Sequence, residues 1–421
     1  MNDNDLYLLL NEIFNNLISK PSYKVFYLPV NPIQEPTYYL TIQTPIFLIN
    51  IENKIKDKQY KTITEFKDDI NLLVNNTRIA YGEDSLSYKI VQKIHYDMEK
   101  KVQKKLIFEE KLITFNRNIE FIKDSNERNQ ILKLIQTQTV PLKIIAKYFG
   151  VGEPKLKKII KEWGFEFPKL KKGQKEMIIT EDDINKISEI LTAANLGQKR
   201  LSQLTLNSEH KIRKIMKILQ PVIKENENEE KVHDNQFHAV KVNYCWHTDL
   251  HYLKSKPPYN ENTHYLIAYI DDCSRYIVYW EIGEFKDQDF TAQSLDNCIR
   301  LTNQKPHMLV TDNGKEFTGQ KFTEVVANYN INQHFIKPRT PEENGKIERW
   351  WRNIECLKNY FDIPLIIRLY NDVFVHSSLK KEYNARMTPC YAFTNLPKFD
   401  PEIDKGKDLI YYKNSKKEQN A

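Results

Sequence analysis

Cysteine is scarce: five in 421 residues, at 245, 273, 298, 356 and 390, each alone and never in a C-x-x-C pair. That excludes a disulfide scaffold and a structural zinc site, and it fits a reducing compartment. Long apolar runs are missing too. None approaches the roughly 18 residues that a spanning helix needs, and the start of the chain carries no signal-peptide pattern. The expectation is a soluble, intracellular protein without a membrane partner. No repeat of solenoid type is present. Charge of one sign is modest, a net +7, so the whole-chain field is a weak argument for nucleic acid.

Where the charge sits says more. Between 129 and 220 there are 18 Lys/Arg against 9 Asp/Glu, a surplus of 9, which leaves the rest of the chain slightly acidic. The length suits two to four domains with real cores.

Residues 5–20 place Leu8, Leu9, Ile13 and Leu17 at helical spacing. A long connection follows, punctuated by Pro29, Pro32 and Pro36 and rich in aromatics, and then helical patterns near 46–57, 62–80 and 84–103. Four helices with one long, packed loop predict an all-α four-helix bundle over 1–115.

From 129 the pattern changes to short helices with tight turns. Ile131, Leu132, Leu134 and Ile135 form one apolar stripe. Thr139-Val140-Pro141 opens a second helix with Leu142, Ile145, Ala146 and Phe149, and Pro154 a third with Leu156, Ile159, Ile160 and Trp163. This trio, 129–168, reads as a helix-turn-helix with Lys155, Lys157, Lys158 and Lys161 around its last helix. A second trio spans 178–222. Thr180 caps its first helix and Ser208 its third, which carries Lys211, Arg213, Lys214 and Lys217 opposite Ile212 and Ile215. Tandem trios with a local positive surplus point to double-stranded DNA, because neutralising phosphates is what such a surplus does. A linker is expected over 223–240 and a flexible basic tail over 400–421.

The stretch 241–399 alternates strand and helix patterns. Strands are expected near 243–251, 264–271 and 275–284, a helix near 289–302, a strand ending at Asp312, a helix over 319–328 and a strand over 331–336. Three antiparallel strands followed by alternating helices and strands predict an α/β sheet covered on both faces. Asp249 lies in a strand-like run, Asp312 at a strand end before an Asn313-Gly314 turn, and Glu348 early in a helix. That helix starts either at the Thr340-Pro341-Glu342-Glu343 capping box or with Asn344 as cap. Three carboxylates from three elements suit a hard divalent cation.

Trp246-His247-Thr248-Asp249, then TDNGKEF from Thr311 and NGKIER from Asn344, resemble the catalytic core of retroviral integrases and related bacterial transposases. Tyr370-Asn371, His376-Ser377-Ser378-Leu379 and Met387-Thr388-Pro389 resemble that family's closing segment. The resemblance covers about 240–395 and implies an RNase H-like core. It also implies Asp249, Asp312 and Glu348 as catalytic and metal-binding residues and two Mg²⁺ (or Mn²⁺) ions. Asp249 and Asp312 would share one ion, Asp249 and Glu348 the other. Water would cut the element's end, and the freed 3′-OH would attack target DNA. Lys346 and Arg349, with Lys337 and Arg339, are candidate phosphate holders or plain surface charges. A homo-oligomer is implied, whereas the zinc module and C-terminal barrel of retroviral integrases are not visible.

FYLPVNP from Phe26 and PTYYLTIQTPIFL from Pro36 resemble a bromodomain, an acetyl-lysine reader, over about 5–105. Pro29, Val30, Tyr38 and Tyr81 would line its pocket, with Tyr81 standing where the family has the asparagine that binds the acetyl carbonyl. This implies chromatin or histone tails as partners and a nuclear location. The expected function is DNA integration by a polynucleotidyl transferase of a mobile element. The alternatives are a domesticated DNA- or chromatin-binding protein and an RNase H-like nuclease.

Overall fold

The computed structural model describes residues 3–32, 34–113, 125–136, 142, 145–146, 149–165, 179–219, 237–259, 264–337, 341–405 and 410–412. Thr139-Val140-Pro141, residues 223–236 of the expected linker, and Arg339 lie outside them. The chain divides into two compact units, Met1–Leu17 with Lys93–Ile178 and Ile18–Gln92 with Ile179–Ala421.

In the first unit, helices Ser125–Gln136 and Glu153–Glu162 contribute to a small core of Ile131, Ile145, Ala146, Phe149, Leu156 and Ile160. Gly150, at φ +64°, makes the turn before the last of these helices, in a region of backbone space that glycine enters without a Cβ penalty. Lys155, Lys157, Lys158 and Lys161 are exposed around that helix.

The second unit holds the middle of the N-terminal helical region, the second trio and an α/β core. Helix Ile63–Tyr81 is capped by Thr62, whose hydroxyl accepts from Glu65 N–H, and it stops at Gly82, φ +82°. Specific bonds tie this segment to the core. Asp362 accepts from the N–H groups of Leu86 and Ser87 at 2.6 and 2.9 Å, capping a helix start, and Ser22 Oγ donates to Leu204 O at 3.1 Å. The second trio comprises Glu181–Ala193, Gln198–Thr205 and Glu209–Leu219. Thr180 and Asp183 form the capping box of the first, and Ser208 accepts from Lys211 N–H at the third.

The core sheet has the order β4-β3-β2-β5-β6. Here β1 is Phe237–Ala239, β2 Cys245–Leu253, β3 His264–Asp271, β4 Ile277–Gly283, β5 Met308–Thr311, β6 Asn332–Phe335 and β7 Ile410–Tyr412. Strands β2, β3 and β4 pair antiparallel, while β2–β5 and β5–β6 are parallel. Parallel pairing needs crossovers, and helices Gln288–Thr302 and Gln320–Asn328 lie in them, burying Leu295, Cys298, Phe322 and Val326 against Trp246, Ile267 and Leu309. Of the expected tail, residues 406–409 and 413–421 lie outside the described residues. Asp404 is buried and accepts from Lys241 Nζ at 2.6 Å, and β7 pairs with β1.

Candidate active site

Strand register brings the two aspartates together. β2 pairs β5 with His247 opposite Val310, and two more residues in the same register put Asp249 beside Asp312. The backbone at each is fixed locally. Asp249 Oδ1 accepts from Leu250 N–H at 2.8 Å, and Asp312 Oδ1 accepts from Gly314 N–H at 2.9 Å. A Cβ on Gly314 would lie within 2.6 Å of the buried Glu316 carboxylate, so a larger residue there would have to displace that side chain.

Glu348 arrives on helix Gly345–Glu355, with Asn344 at the cap position after a 3-10 turn over Pro341–Asn344. Of the two starts open in the sequence, the structure takes the second. The helix is pinned to β2 at its N-terminal cap and again midway along. Asn344 Oδ1 lies 3.1 Å from His247 Nδ1, and Trp351 Nε1, one turn beyond Glu348, donates to Asp249 Oδ2 at 3.0 Å. Glu348 itself is exposed, and Asp249 and Asp312 are half-buried.

The electrostatics follow from this crowding. Burial, with Asp312 and Glu348 adding negative charge, lifts the Asp249 carboxyl to about 6, against the bonds from Trp351 and Leu250. Lys286, whose Nζ lies 2.9 Å from Glu316 Oε1, is held above its usual range by that bond and by Asp312 and Asp249. Sequence reading missed Lys286, Trp351 and Glu316. TDNGKEF contains Glu316 but gives no sign that it is buried.

A second buried cluster stands behind the site. Asp272 Oδ2 lies 2.8 Å from His247 Nε2 and also accepts from Lys346 Nζ, while Oδ1 accepts from Ala239 N–H at 2.5 Å. Burial opposes the Asp272 charge, but Lys346, His238 and His247 outweigh it and hold the carboxyl well below its usual range. Cys245, His247 and Asp272 are close enough together to resemble a metal set. Both histidine nitrogens already face partners, so the cluster is a brace between β2, β3 and the Glu348 helix. Lys346 is thereby corrected: its ammonium serves Asp272, not a phosphate, and burial brings its pKa down to about 8. Arg349 Nε donates to Gly345 O at 2.8 Å, and Lys337 is exposed.

The DNA-facing candidates of the second trio divide. Arg213, Lys214 and Lys217 are exposed, whereas Lys211 pairs with Asp183 at 2.7 Å. In the N-terminal pocket Val30, Tyr38 and Tyr81 are buried together with Ile42 and Phe47, while Pro29 is exposed. Tyr81 OH donates to Glu35 Oε2 at 2.7 Å, and Arg368 of the core approaches Glu35 Oε1 at 3.6 Å. A cavity of about 690 Å³ lies against Tyr38, Tyr81 and Glu35.

Among the described residues no helix is long and apolar enough to cross a membrane. Residues 239–341 match the family model described as integrase core domain, and residues 10–93 match that of the bromodomain. The chain thus joins a bromodomain to an integrase core domain. The chain is 28% identical over 116 residues to Bromodomain-containing protein 7 of Gallus gallus, covering 27% of this chain and 17% of that protein. It is 42% identical over 57 residues to Chromatin structure-remodeling complex subunit RSC2 of Saccharomyces cerevisiae, 14% of this chain and 6% of that one. The chain therefore spans only a small part of these relatives. Among solved structures, the HTLV-2 integrase catalytic core domain in complex with magnesium is 21% identical, covering 38% of this chain and 99% of that one at a TM-score of 0.28. A chain from the simian T-cell lymphotropic virus intasome in complex with PP2A regulatory subunit B56 gamma is 16% identical, covering 49% and 79% at 0.32.

Proposed function

We propose that this chain is the integrase or transposase of a mobile element, a polynucleotidyl transferase acting on DNA in chromatin. One observation carries the reading: Asp249 lies on β2 and Asp312 just past the end of its parallel neighbour β5, and the Glu348 helix is fastened to β2 through Trp351 and Asn344. On this reading the trios hold the element's ends, the bromodomain addresses chromatin, and the core performs the chemistry. Joining two ends calls for more than one active site, so the working form is a homo-oligomer. The place of action is the nucleus.

The donor set fits a hard divalent cation. Asp249, Asp312 and Glu348 offer only carboxylate oxygens, and the lifted Asp249 carboxyl marks a cluster that needs positive charge. We assign these three to two Mg²⁺ ions, which when bound would activate the attacking oxygen and stabilise the leaving one. The chain's own part is orientation. Leu250 N–H and Trp351 N–H fix both oxygens of Asp249, and Gly314 N–H fixes Asp312. Lys286 is a positive charge close enough to feel Asp312 and Asp249.

The test uses the purified full chain, duplexes ending in the element's termini, and Mg²⁺ or Mn²⁺. Cut and joined products are expected from the natural sequence. None is expected from Asp249→Asn, Asp312→Ala or Glu348→Gln, each with unchanged duplex binding. Wild-type joining by Asp312→Ala would end the assignment.

A further inference from the structure

A cavity of about 570 Å³ opens between the short helix Gln198–Thr205, the helix Gly345–Glu355 and the segment from Tyr370 to Ser378. Six cations line it: Lys199, Arg200, Arg275, Lys346, Arg349 and Arg352. Among the described residues no carboxylate does. Arg275 and Lys346 are answered from behind, by Glu382 at 2.7 Å and by Asp272. Lys199, Arg200 and Arg352 form no ion pair among the described residues, and the Arg200 guanidinium lies 5.4 Å from the centre of the Phe374 ring.

The uncharged lining is mixed: Asn353 Oδ1 and His376 Nδ1 are buried without a partner among the described residues, and donors stand beside them. Trp350 is 2% exposed, and its indole N–H, a group that can only donate, has no acceptor among the described residues. Ser377 and Ser378 add hydroxyls. Positive charge gathered in a recess with spare donors is stabilised by an anion, and guanidinium groups match phosphate oxygens two at a time. The volume is that of a small-molecule site. A duplex can offer such a recess only the phosphates along its outer edge, whereas a compact polyphosphate can face several of its walls at once.

We propose that this cavity binds a compact small molecule carrying several phosphate groups. Lys199, Arg200, Arg349 and Arg352 take its phosphates, and Trp350 N–H takes one further oxygen. Bound there, it bridges the second helical trio and the helix that carries Glu348, so it acts on how DNA binding is coupled to the core.

Isothermal titration of the full chain with inositol hexakisphosphate tests this, beside inorganic phosphate and a duplex oligonucleotide. One equivalent is expected to bind in the micromolar range or tighter, with inorganic phosphate far weaker. Lys199→Gln with Arg200→Gln should weaken it by at least about tenfold, the equivalent of about 1.4 kcal/mol. Lys214→Gln with Lys217→Gln, on the exposed face of helix Glu209–Leu219, should leave it unchanged. Thermal melts establish that each variant is folded, and Arg352→Gln replaces the first pair if that pair is not. Absence of saturable binding overturns the proposal. Equal losses in both double variants overturn it as diffuse charge capture. Loss of duplex binding alone, with no response to the polyphosphate, assigns the cavity to DNA instead.

Discussion

Trp351 Nε1 donates to Asp249 Oδ2 at 3.0 Å, while the Trp351 ring stacks on His251 with centroids 4.9 Å apart. One side chain therefore aligns the central strand with the helix of Glu348. Trp351→Phe keeps the stack and removes the bond. Partners of this kind typically contribute 10–100-fold to metal affinity or activity. The expected result is a drop of about that size in strand joining, with a higher Mg²⁺ concentration at half-maximal rate and unchanged duplex affinity. An unchanged Mg²⁺ dependence would mean that Leu250 N–H alone suffices to hold the carboxylate.

The sheet was legible because its strands alternate or run apolar between turn residues, and Asp312 could be placed at a strand end for that reason. What stayed hidden are pairings across long sequence separations. Lys346 sits two residues before Glu348 and reads as a surface charge; its carboxylate, Asp272, lies 74 residues upstream. The Tyr81–Glu35 bond and its approach from Arg368 are equally invisible, since Arg368 belongs to a helix of the core. Periodicity reports which face of an element is buried and says nothing about which charge waits there.

The two trios should bind duplex DNA with a steep salt dependence. Each phosphate neutralised contributes about −0.9 to the slope of log affinity against log salt. In the full chain, followed by fluorescence anisotropy, Lys214→Gln and Lys157→Gln should each make the slope shallower by about that amount. Lys211→Gln should differ. Burial opposes the Asp183 charge, but Lys211 and Thr180 overcome it and bring its carboxyl down to about 2. Losing that partner should lower the melting temperature and leave the slope unaltered. A slope change on Lys211→Gln equal to that of Lys214→Gln would put Lys211 back among the phosphate contacts.

Acetylated histone peptides should bind weakly or not at all. An acetyl carbonyl needs a donor in the pocket, since an unsatisfied buried polar group costs about 1–3 kcal/mol. The Tyr81 hydroxyl is already committed to Glu35 at 2.7 Å. Tyr81→Asn should supply an amide N–H and improve binding, while losing a bond to a charged group that typically contributes about 1.5–3 kcal/mol to stability. Calorimetry with a panel of acetylated peptides decides it. Micromolar binding by the natural sequence, abolished by Tyr81→Phe, would show that the tyrosine itself anchors the ligand.

His376 should make the protein acid-sensitive well above the carboxylate range. Burial first, then the nearby charges of Arg275, Arg349, Lys199 and Arg200, hold its imidazole neutral and bring its pKa down to about 3. An unfolded histidine titrates near about 6.5. The unfolded chain therefore binds a proton that the folded one refuses, and stability present above that value is lost as pH falls. Between pH 7 and pH 5 the loss attributable to this residue is about 2 kcal/mol. Other groups titrate in the same window, so the readout is the difference between the natural sequence and His376→Asn in urea midpoints at several pH values. That difference should shrink or reverse toward pH 5, because the variant has no proton to gain on unfolding. Parallel pH profiles would show that the folded imidazole titrates where the unfolded one does, so that burial and the surrounding cations do not hold it neutral.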